Sequence, residues 1–450
     1  MQQQSILLLG AGRSATHLID YIAQYSHKSN ITFTIADISQ ETLQAKTQQY
    51  PWVKTLTIQP NNNEEQYESI VSQNTIVISL LPPQLHLQVA KICLRYEKHL
   101  LTASYLSEAM KQLHQEAKEK KLIFLNEAGL DPGIDHMSAM ETLDKIRAQG
   151  GKITSFQSFC GGLIAPESDN NPWGYKFTWN PRNVVLAGQG TPAQYIYQGK
   201  YKYVPYSQLF TNPINLYFET VGDYEAYPNR DSLSYRTHYQ LDDIPTMLRG
   251  TIRKKGYCKA WNNLVRLGIT DDSLPIENLS TWAEWFEAFL PNTDNNKSIE
   301  DKLAEVLQLS KDDESLQKLL WIGLQEDENI NTKETLTSAQ ILQKKLEQKW
   351  KIAPQDKDLV LMQHQFQYEL QNKKYQITAN LIVKGENATH TAMSKTVGLP
   401  LAIATKLVAE NKIQEYGVMI PIYKQWYEPI LAELKHFDII FQEKHTELQK

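Results

Sequence analysis

Residues 126–190 combine ionisable side chains with backbone that must turn tightly. The first stretch reads N-E-A-G-L-D-P-G-I-D-H, and a second one begins at residue 160 as C-G-G-L-I-A-P-E-S-D-N-N-P-W-G-Y-K-F-T-W. Carboxylate, imidazole, thiol and guanidinium groups come from Asp131, Asp135, His136, Cys160 and Arg182. Groups of this kind transfer protons or bind anions, and turns that carry them are more typical of a site than of a scaffold. The segment therefore predicts a functional site, although D-P-G alone is also a common turn.

A nucleotide-binding signature precedes this segment. The apolar run at residues 6–9 is followed by G-A-G-R-S-A at residues 10–15 and then by an apolar-periodic stretch. A buried strand that enters a helix through a glycine-rich turn is typical of dinucleotide binding, because the helix N-terminus attracts phosphate. Gly10 allows the tight turn, Gly12 lets backbone approach a pyrophosphate, and Ala15 lets the helix pack on the strand. The cofactor-binding residues predicted in this turn are Gly10, Gly12, Arg13, Ser14 and Ala15.

The end of the second predicted strand bears on the choice of cofactor. This strand, Ile31 to Ala36, ends in Asp37, about where a ribose-binding acid is expected. A carboxylate there accepts hydrogen bonds from both ribose hydroxyls and repels a 2'-phosphate, so Asp37 favours NAD over NADP. Lys46 on the adjoining helix would soften this preference, which leaves NADP possible.

Through residue 128 the pattern alternates between strands and helices. Strands are predicted at 75–81, 100–104 and 122–125, with helices from about Leu85 and over Ser107 to Lys121. This alternation predicts a doubly wound parallel sheet, whose ligands bind beyond the carboxyl ends of the strands. The residues expected there are Ser79, Leu80, Leu81, Pro82, Ser104, Tyr105, Asn126 and Glu127.

From Ile153 onward the chain has a different texture. Aromatic-rich, strand-like pieces cover Phe156–Phe159, Tyr175–Trp179 and Leu216–Glu219. A helical stretch over 281–350 carries aromatic residues at helical spacing, which predicts a packed core rather than a binding site. Those aromatic residues are Trp282, Trp285, Phe286 and Phe289. Two further strands, 359–370 and 375–383, predict a hairpin, and residues 391–408 predict a helix that returns to the nucleotide-binding domain.

Composition excludes several classes of protein. The 450 residues predict two or three domains, and 41% hydrophobic with 22% charged residues is typical of a soluble globular protein. A net charge of -5 gives no broad attraction to nucleic acid or membranes. Met1 to Ser5 lack the basic region of a signal peptide, and three widely spaced cysteines fit a reducing cytoplasm. No metal-binding, Walker or nucleophile-elbow motif occurs, so no metal is predicted.

Seven motifs, in order, resemble the saccharopine dehydrogenase family of the L-glutamate-forming type, also called saccharopine reductases. They are V-I-S-L-L-P at 77–82, T-A-S-Y at 102–105, the two stretches quoted above at 126–136 and 160–179, Y-P-N-R-D-S at 227–232, R-G-T-I-R-K-K-G-Y at 249–257 and S-K-T-V-G-L-P-L-A-I-A-T-K at 394–406. The resemblance covers essentially the whole chain.

The resemblance implies an α/β fold with a Rossmann doubly wound domain completed by the C-terminal segment. It also implies a mixed-sheet α+β domain that carries a small helical insertion. The expected boundaries are 1–131 with 388–450 for the nucleotide-binding domain, 132–270 with 355–387 for the substrate-binding domain, and 271–354 for the insertion.

The resemblance also implies reversible hydride transfer at a carbon–nitrogen bond in lysine metabolism. Aminoadipate semialdehyde and L-glutamate condense to an imine, which a nicotinamide cofactor reduces to saccharopine. The substrate residues that it implies are Ser104, Tyr105, Arg230, Arg249, Gly250 and Thr251. The cofactor residues, besides the glycine turn and Asp37, are Ser79, Leu80, Leu130 and Asp131. Arg230 is interpreted as a carboxylate clamp, and Arg249 and Arg253 as weaker candidates.

Proton transfer is assigned by the resemblance to Asp131, Tyr105 and Cys160. A carboxylate partly shielded from water has a raised pKa that suits acid–base work. His86 and His136 are interpreted as structural histidines near helix starts. One departure matters: NADP-using members tend to carry an arginine near the end of the second strand, where this chain has Asp37-Ile38-Ser39.

Two alternatives remain open at this point. One is a related imine reductase, such as a carboxynorspermidine dehydrogenase, and the other is a non-catalytic NAD-binding regulatory protein. The partners expected are small molecules, with no nucleic acid, no membrane and a possible homodimer, in the cytoplasm.

Overall fold

The structure is a computed structural model that describes residues 4–59, 64–277, 280–291, 297–330 and 335–449. The chain divides into two compact units. The first contains residues 1–152, 370–372 and 381–442, and the second contains residues 153–369, 373–380 and 443–450.

The strands are numbered in chain order. They are β1 Ser5–Leu9, β2 Thr32–Asp37, β3 Lys54–Thr57, β4 Ile76–Ser79, β5 His99–Thr102, β6 Ile123–Leu125, β7 Lys152–Ile164, β8 Ala193–Tyr197, β9 Lys200–Val204, β10 Ile214–Phe218, β11 Gly222–Pro228, β12 Thr246–Lys254, β13 Pro275–Ile276, β14 Leu336–Thr337, β15 Asp358–Leu370, β16 Lys373–Lys384, β17 Gly417–Met419 and β18 Gln442–Leu448.

The helices follow the same convention. They are α1 Thr16–Lys28, α2 Gln40–Thr47, α3 Glu64–Ser72, α4 Pro83–Arg95, α5 Glu108–Lys111, α6 His114–Glu119, α7 Ile134–Ala148, α8 Pro181–Val185, α9 Tyr235–His238, α10 Tyr257–Arg266, α11 Trp282–Glu287, α12 Ile299–Leu307, α13 Glu314–Ile322, α14 Ser338–Lys349, α15 Ala392–Ala409 and α16 Lys424–Leu434. Short 3-10 turns cover Arg13–Ala15, Pro166–Ser168, Tyr206–Gln208 and Lys435–Phe437.

The first unit is built on a seven-stranded sheet in the order β17-β6-β5-β4-β1-β2-β3. All of its neighbouring strands pair in parallel. The central strands β1 and β4 are short apolar runs, and their residues 6–9 and 76–79 are buried because helices cover both faces of such a sheet. The strand order reverses between β1 and β4, which is where a doubly wound sheet opens a crevice for ligands. The predicted Rossmann fold is confirmed.

The C-terminal segment completes this unit. Strand β17 adds to the sheet edge beside β6, and α15 packs against α1. The contact is close at Gly398, where a Cβ atom would lie 2.9 Å from the Leu18 backbone nitrogen and 3.2 Å from the Ser14 carbonyl oxygen. A residue without a side chain is therefore required where the two helices meet. Helix α15, which Thr391 caps, continues through Pro400, so proline does not end it.

One helix of the first unit differs from the expectation. The charged stretch 107–121 forms two short helices, α5 and α6, instead of one long helix. Ser107 caps the first by accepting the Met110 N–H at 3.2 Å, and residues 112–113 lie in the turn between the two. Local helical periodicity does not report such an interruption.

The second unit contains a mixed sheet in the order β10-β11-β12-β7-β15-β16-β18, with β8 and β9 beside β12. Strand β12 pairs antiparallel with β11 and parallel with β7. The predicted hairpin of residues 359–383 corresponds to β15 and β16. Strand β18 also belongs to this sheet, whereas the expected boundaries gave residues through 450 to the nucleotide-binding domain. Its exposed, charged residues lack the apolar pattern that would assign an edge strand to a sheet.

Helices α11 to α14 pack on an aromatic core within the second unit. Trp282, Trp285 and Phe286 are buried and Phe289 is partly buried, so the interpretation of these residues as core is confirmed. By contrast, Tyr175–Trp179 is not a strand; its Phe177 N–H donates to the Trp350 carbonyl at 2.9 Å. The separate insertion at 271–354 stays a prediction. In the described part of the chain, no helix combines the length and the apolarity needed to cross a membrane.

Three histidines, of which His86 is buried and His17 and His99 are half-buried, predict that the first unit loses stability in acid. Burial lowers the pKa of His17, His86 and His99 from 6.5 to about 4. Between pH 6.5 and about 4, these histidines bind protons in the unfolded chain but not in the folded chain. The stabilising contribution is therefore complete above pH 6.5 and is lost as the pH falls to about 4, at ~1.4 kcal/mol per pH unit for each group.

His99 offers a matched variant, because its Nδ1 accepts the Ile123 N–H at 3.0 Å. His99→Asn retains an acceptor but does not titrate, so we expect a shallower loss of stability between pH 6.5 and 4. Urea unfolding at a series of pH values measures this slope. An unchanged slope would contradict the assignment.

Candidate functional site

The glycine turn after β1 lies against the end of β4. Gly10 has φ +94°, and its N–H donates to the Ala36 carbonyl at 2.8 Å. A Cβ atom at Gly10 would lie 2.9 Å from the Leu80 carbonyl oxygen. Two features therefore restrict position 10 to glycine: the positive φ of the backbone and the closeness of the segment after β4.

Gly12 is different, since it faces open space. A Cβ atom there would meet nothing within 4 Å, and its φ of -64° is allowed for any residue. Beyond it the 3-10 turn Arg13–Ala15 leads into α1, with Arg13 exposed, Ser14 half-buried and Ala15 buried. The open backbone at Gly12 beside a helix start fits a pyrophosphate.

Asp37 uses its carboxylate to hold the protein's own backbone. Oδ2 accepts the Ala11 N–H at 2.6 Å, and Oδ1 accepts the Ser39 N–H at 2.9 Å. Lys46 lies in the same region, where its Nζ donates to the Gly12 carbonyl at 2.5 Å. Burial lowers the pKa of Lys46 to about 8, with Asp37 acting in the opposite direction, so this lysine still carries a charge at neutral pH.

A buried histidine joins two serines at the carboxyl edge of the sheet. His86 Nδ1 lies 2.9 Å from Ser79 Oγ, and His86 Nε2 lies 2.7 Å from Ser104 Oγ. The serines follow neighbouring strands, because Ser79 ends β4 and Ser104 comes two residues after β5. Sequence reasoning treated His86 as structural. The sequence feature that could have revealed this contact is the position of His86, one turn into the helix that follows β4. That position brings the ring to the carboxyl edge of the sheet.

The loop after β6 is held by a dense set of backbone hydrogen bonds. Gly129 N–H donates to the Pro132 carbonyl at 3.0 Å, and the carbonyls of Gly129 and Leu130 accept the N–H groups of Ile134 and Asp135. A Cβ atom at Gly133 would lie 2.0 Å from the Gly129 carbonyl oxygen, so only glycine fits there. This turn starts α7 and leaves Asp131 half-buried at its tip.

Buried ionisable side chains support this loop. His136 Nε2 lies 2.7 Å from Glu127 Oε2, and the other Glu127 oxygen accepts the Leu106 N–H at 2.9 Å. Asp135 Oδ1 accepts the Gly133 N–H at 2.6 Å. Glu127 thereby connects the loop to the segment after β5. The sequence predicts Glu127 at the sheet edge but indicates no role for it there.

Two predicted acid–base residues meet at this edge. The exposed Tyr105 hydroxyl donates to Asp131 Oδ1 at 3.3 Å. Leu130, the neighbouring cofactor candidate, is buried. The structure therefore brings together Ser104, Tyr105 and Asp131, whose roles in binding and catalysis stay predictions.

The second unit carries the remaining candidates on three adjacent strands. Thr251 of β12 pairs with Cys160 of β7, and Gly250 pairs with Pro228 at the end of β11. Arg249 is buried, and its guanidinium carbon lies 4.4 Å from the Tyr235 ring centre. The backbone N–H of Arg249 donates to Ser232 Oγ at 2.8 Å.

Arg230 follows the end of β11 and is exposed. Its carbonyl accepts the Gln194 N–H at 2.7 Å, which fixes the backbone while the guanidinium stays accessible to solvent. An accessible planar cation suits carboxylate recognition.

Arg253 is buried among tyrosines. The ring centres of Tyr175, Tyr227 and Tyr257 lie 5.2, 5.5 and 5.3 Å from its guanidinium carbon, and its Nη2 donates to the Tyr227 hydroxyl at 3.1 Å. At 2% exposure this guanidinium has no route to a substrate. It stabilises the core by cation–π contacts, which argues against its interpretation as a substrate residue.

Much of the 160–190 stretch is core as well. Trp173, Tyr175 and Phe177 are buried and pack around Trp350. Arg182 forms an ion pair with Asp272. The expectation that the whole stretch belongs to a site is therefore too broad, because an aromatic motif looks the same in sequence whether it lines a site or a core. In the described residues, no cluster of three or more His, Cys, Asp or Glu side chains could hold a metal ion.

The fold and the glycine turn define a dinucleotide-binding α/β protein. A family model described as "Saccharopine dehydrogenase NADP binding domain" matches residues 6–125. One described as "Saccharopine dehydrogenase C-terminal domain" matches residues 129–439. The chain therefore belongs to the saccharopine dehydrogenase family, which confirms the resemblance read from its motifs.

Individual relatives match nearly the whole of this chain. The chain is 32% identical to the saccharopine dehydrogenase [NADP(+), L-glutamate-forming] of Saccharomyces cerevisiae, covering 98% of this chain and 99% of that protein. It is 36% identical to the mitochondrial alpha-aminoadipic semialdehyde synthase of Rattus norvegicus, covering 99% of this chain but 48% of that protein. The chain thus spans about half the length of the mammalian relatives that it matches.

A solved structure extends this similarity to three dimensions. The apo saccharopine dehydrogenase (L-Glu forming) of Saccharomyces cerevisiae superposes with a TM-score of 0.87 at 32% identity, covering 98% of this chain and 100% of that one.

The preference for NAD drawn from Asp37 is wrong. The matching nucleotide-domain model is an NADP binding domain, and the fungal relatives are named for NADP(+). A preference for NAD requires the Asp37 carboxylate to turn toward a ribose. In the structure both of its oxygens accept backbone N–H groups, and Lys46 supplies a positive charge beside the glycine turn.

The two glycines of the turn predict opposite outcomes for the same substitution. We expect Gly12→Ala to leave the free energy of unfolding nearly unchanged, because its Cβ meets open space, and to weaken nucleotide binding strongly by filling that space. Gly10→Ala should lower stability, because it is strained at φ +94° and meets the Leu80 carbonyl. Thermal unfolding and fluorescence titration with NADPH measure the two effects. Equal losses of stability in both variants would contradict the assignment.

Proposed function

We propose that this protein interconverts saccharopine with L-glutamate and aminoadipate semialdehyde, with NADP(H) as the hydride carrier. The single observation that carries the proposal is the 32% identity to the fungal L-glutamate-forming enzymes over nearly the full length of both chains. The cluster of hydroxyl and carboxylate groups at the carboxyl edge of the first unit's sheet supports it, because that edge is where doubly wound sheets bind ligands.

NADP(H), when bound, supplies or takes up a hydride at the carbon–nitrogen bond. The residues that we propose to hold it are the glycine turn at 10–15 and Lys46. The open space at Gly12 accommodates a pyrophosphate, and the Lys46 ammonium suits a 2'-phosphate.

The first unit supplies the groups for proton transfer in this proposal. Asp131 is half-buried and accepts the Tyr105 hydroxyl at 3.3 Å, so the two groups share one proton-donating contact. A substrate amine that releases or takes up a proton can exchange it with this pair. Ser104, which lies next to Tyr105 in the chain, supplies a hydroxyl for a polar group of the substrate.

The second unit supplies the cations and the thiol. Saccharopine carries three carboxylates, and guanidinium groups bind carboxylates through two parallel hydrogen bonds. We propose Arg230 as the main clamp, since it is exposed on a fixed backbone. Arg249, Gly250 and Thr251 are proposed to line the same substrate region. Cys160, the residue of β7 opposite Thr251 in the sheet, is a further proton-transfer candidate.

The remaining assignments are also proposals. The substrate is a small molecule, and the protein is proposed to work without nucleic acid, as a homodimer in the cytoplasm. The cytoplasmic location rests on the odd number of widely spaced cysteines. The three-part division at residues 131, 271 and 355 is proposed as the functional layout.

The first experiment follows the absorbance of reduced nicotinamide. Incubation with saccharopine and NADP should increase this absorbance and release L-glutamate in equal amounts. Turnover with a carboxynorspermidine-type amine but not with saccharopine would transfer the proposal to a different imine reductase. Nucleotide binding without turnover on either substrate would identify a regulatory protein and reject an enzyme.

Arg230 tests the carboxylate clamp. Arg230→Ala should raise the KM for saccharopine by about 10- to 100-fold, since a hydrogen bond to a charged group is worth ~1.5–3 kcal/mol. Arg230→Lys is the matched control that keeps the charge but loses the paired hydrogen bonds. Its KM should lie between those of the parent protein and Arg230→Ala. An unchanged KM in both variants excludes Arg230 from the substrate contacts.

Lys46 tests the 2'-phosphate contact. Lys46→Met should raise the Kd for NADPH by about tenfold while the Kd for NADH changes little, because NADH lacks the phosphate. Lys46→Arg retains the charge and should stay near the parent value. Fluorescence titration with both nucleotides measures the difference, and equal weakening of the two would argue against the contact.

A further inference from the structure

His86 uses both ring nitrogens inside the nucleotide-binding unit. Its Nδ1 lies 2.9 Å from Ser79 Oγ and its Nε2 lies 2.7 Å from Ser104 Oγ. The imidazole and the Ser79 side chain are buried, whereas Ser104 is half-buried. The three side chains thus form a short chain that leads from the interior to the carboxyl edge of the sheet.

The ring is neutral, and this limits the hydrogen-bond directions. Burial lowers the pKa of His86 to about 4. A neutral imidazole has one N–H donor and one acceptor nitrogen. One serine therefore donates to the ring, and the other accepts from it.

The buried serine decides between the two directions. Among the described residues, His86 is the one hydrogen-bond partner of the Ser79 hydroxyl. If Nδ1 carried the proton, Ser79 would accept it, and its own hydroxyl hydrogen would be buried without an acceptor, which is costly. If Nδ1 accepts from Ser79, that hydrogen is satisfied, and the ring proton lies on Nε2 and is donated to Ser104.

This arrangement leaves one donor over at the sheet edge. With its oxygen accepting from Nε2–H, Ser104 keeps its own hydroxyl hydrogen for another acceptor. In the part of the chain that the structure describes, the Ser104 hydroxyl oxygen has no hydrogen-bond partner besides His86. Asp131 and Tyr105 lie at the same edge.

We propose that His86 is a positioning residue that orients the Ser104 hydroxyl to donate to a carboxylate of the substrate. The inference rests on the proposed function for the identity of the substrate, an amino acid conjugate with several carboxylates. The direction of the hydrogen bonds from Ser79 to His86 and from His86 to Ser104 follows from the two contacts and the neutral ring, independently of the substrate. A merely structural role would tie the ends of β4 and β5 together without affecting the KM for the substrate.

Two substitutions separate these roles, because they retain opposite halves of the ring. The amide of His86→Gln extends to the position of Nε2 and can donate to Ser104, whereas that of His86→Asn extends only to the position of Nδ1 and contacts Ser79. We expect His86→Asn to raise the KM for saccharopine at least tenfold with little change in kcat, and His86→Gln to restore most of the loss. The Kd for NADPH should be similar in both.

A double-mutant comparison tests whether the effect passes through Ser104. Ser104→Ala should raise the KM by the same factor as His86→Asn, and the double variant should be no worse than either. Equal KM increases in the Asn and Gln variants, or additive effects in the double variant, would overturn the proposal. A fall in thermal stability with an unchanged KM would show a structural tie only.

The ring itself can be observed without any substrate. In protein labelled with nitrogen-15 histidine, long-range nitrogen–proton spectra distinguish the two neutral tautomers, and the signal missing in His86→Gln, or shifted in Ser79→Ala, identifies His86. We expect the proton on Nε2. A proton on Nδ1 refutes the inference, whereas the expected tautomer in a protein that fails to turn over saccharopine leaves the direction intact and rejects the proposed function.

Discussion

The parallel pairing of β1 with β4 determines where the chemical groups of the first unit can lie. The register sets Leu9 opposite Ser79, so the glycine turn and the end of β4 leave the sheet side by side. Their closeness is such that Gly10 tolerates no side chain next to the Leu80 carbonyl. Helix α4 begins four residues after Ser79 and returns His86 to the same edge. Because β5 and β6 continue the parallel order, Ser104 and Glu127 arrive there too.

Buried polar groups then hold this edge in shape. Glu127 accepts the Leu106 N–H and contacts His136, while Asp135 accepts the Gly133 N–H. Charged groups of this kind are costly to bury unless they are paired, and these pairs join the segment after β5 to the loop after β6. Asp131 and Tyr105 sit on the two connected segments, so a rigid buried layer supports an accessible pair.

The second unit uses aromatic packing for the same purpose. The Arg253 guanidinium, enclosed by three tyrosine rings, anchors the C-terminal end of β12, and the rings of Trp173, Tyr175 and Trp350 pack beside it. The preceding residues of β12, at 249–251, carry the substrate candidates. Arg249, Thr251 and Arg253 follow one another at intervals of two residues, so they lie on one face of the pleated strand. The motif at 249–257 thus contributes both to packing, through Arg253, and to the proposed substrate contacts of Arg249 and Thr251.

The sequence alone determined the strand–turn–helix unit at residues 6–28, the parallel alternation that follows, and the family, because apolar periodicity and glycine turns are local properties of the chain. The tertiary structure decided what the polar side chains do. The spacing of Asp37 from the glycine turn predicts an acid that binds a ribose. Its carboxylate oxygens instead accept the backbone N–H groups of Ala11 and Ser39. His86 and Glu127 gained their roles only when the end of β5 brought Ser104 to His86 and the first turn of α7 brought His136 to Glu127. Hydrogen bonds between residues far apart in the chain depend on how strands and helices meet, and no local pattern encodes their partners or direction.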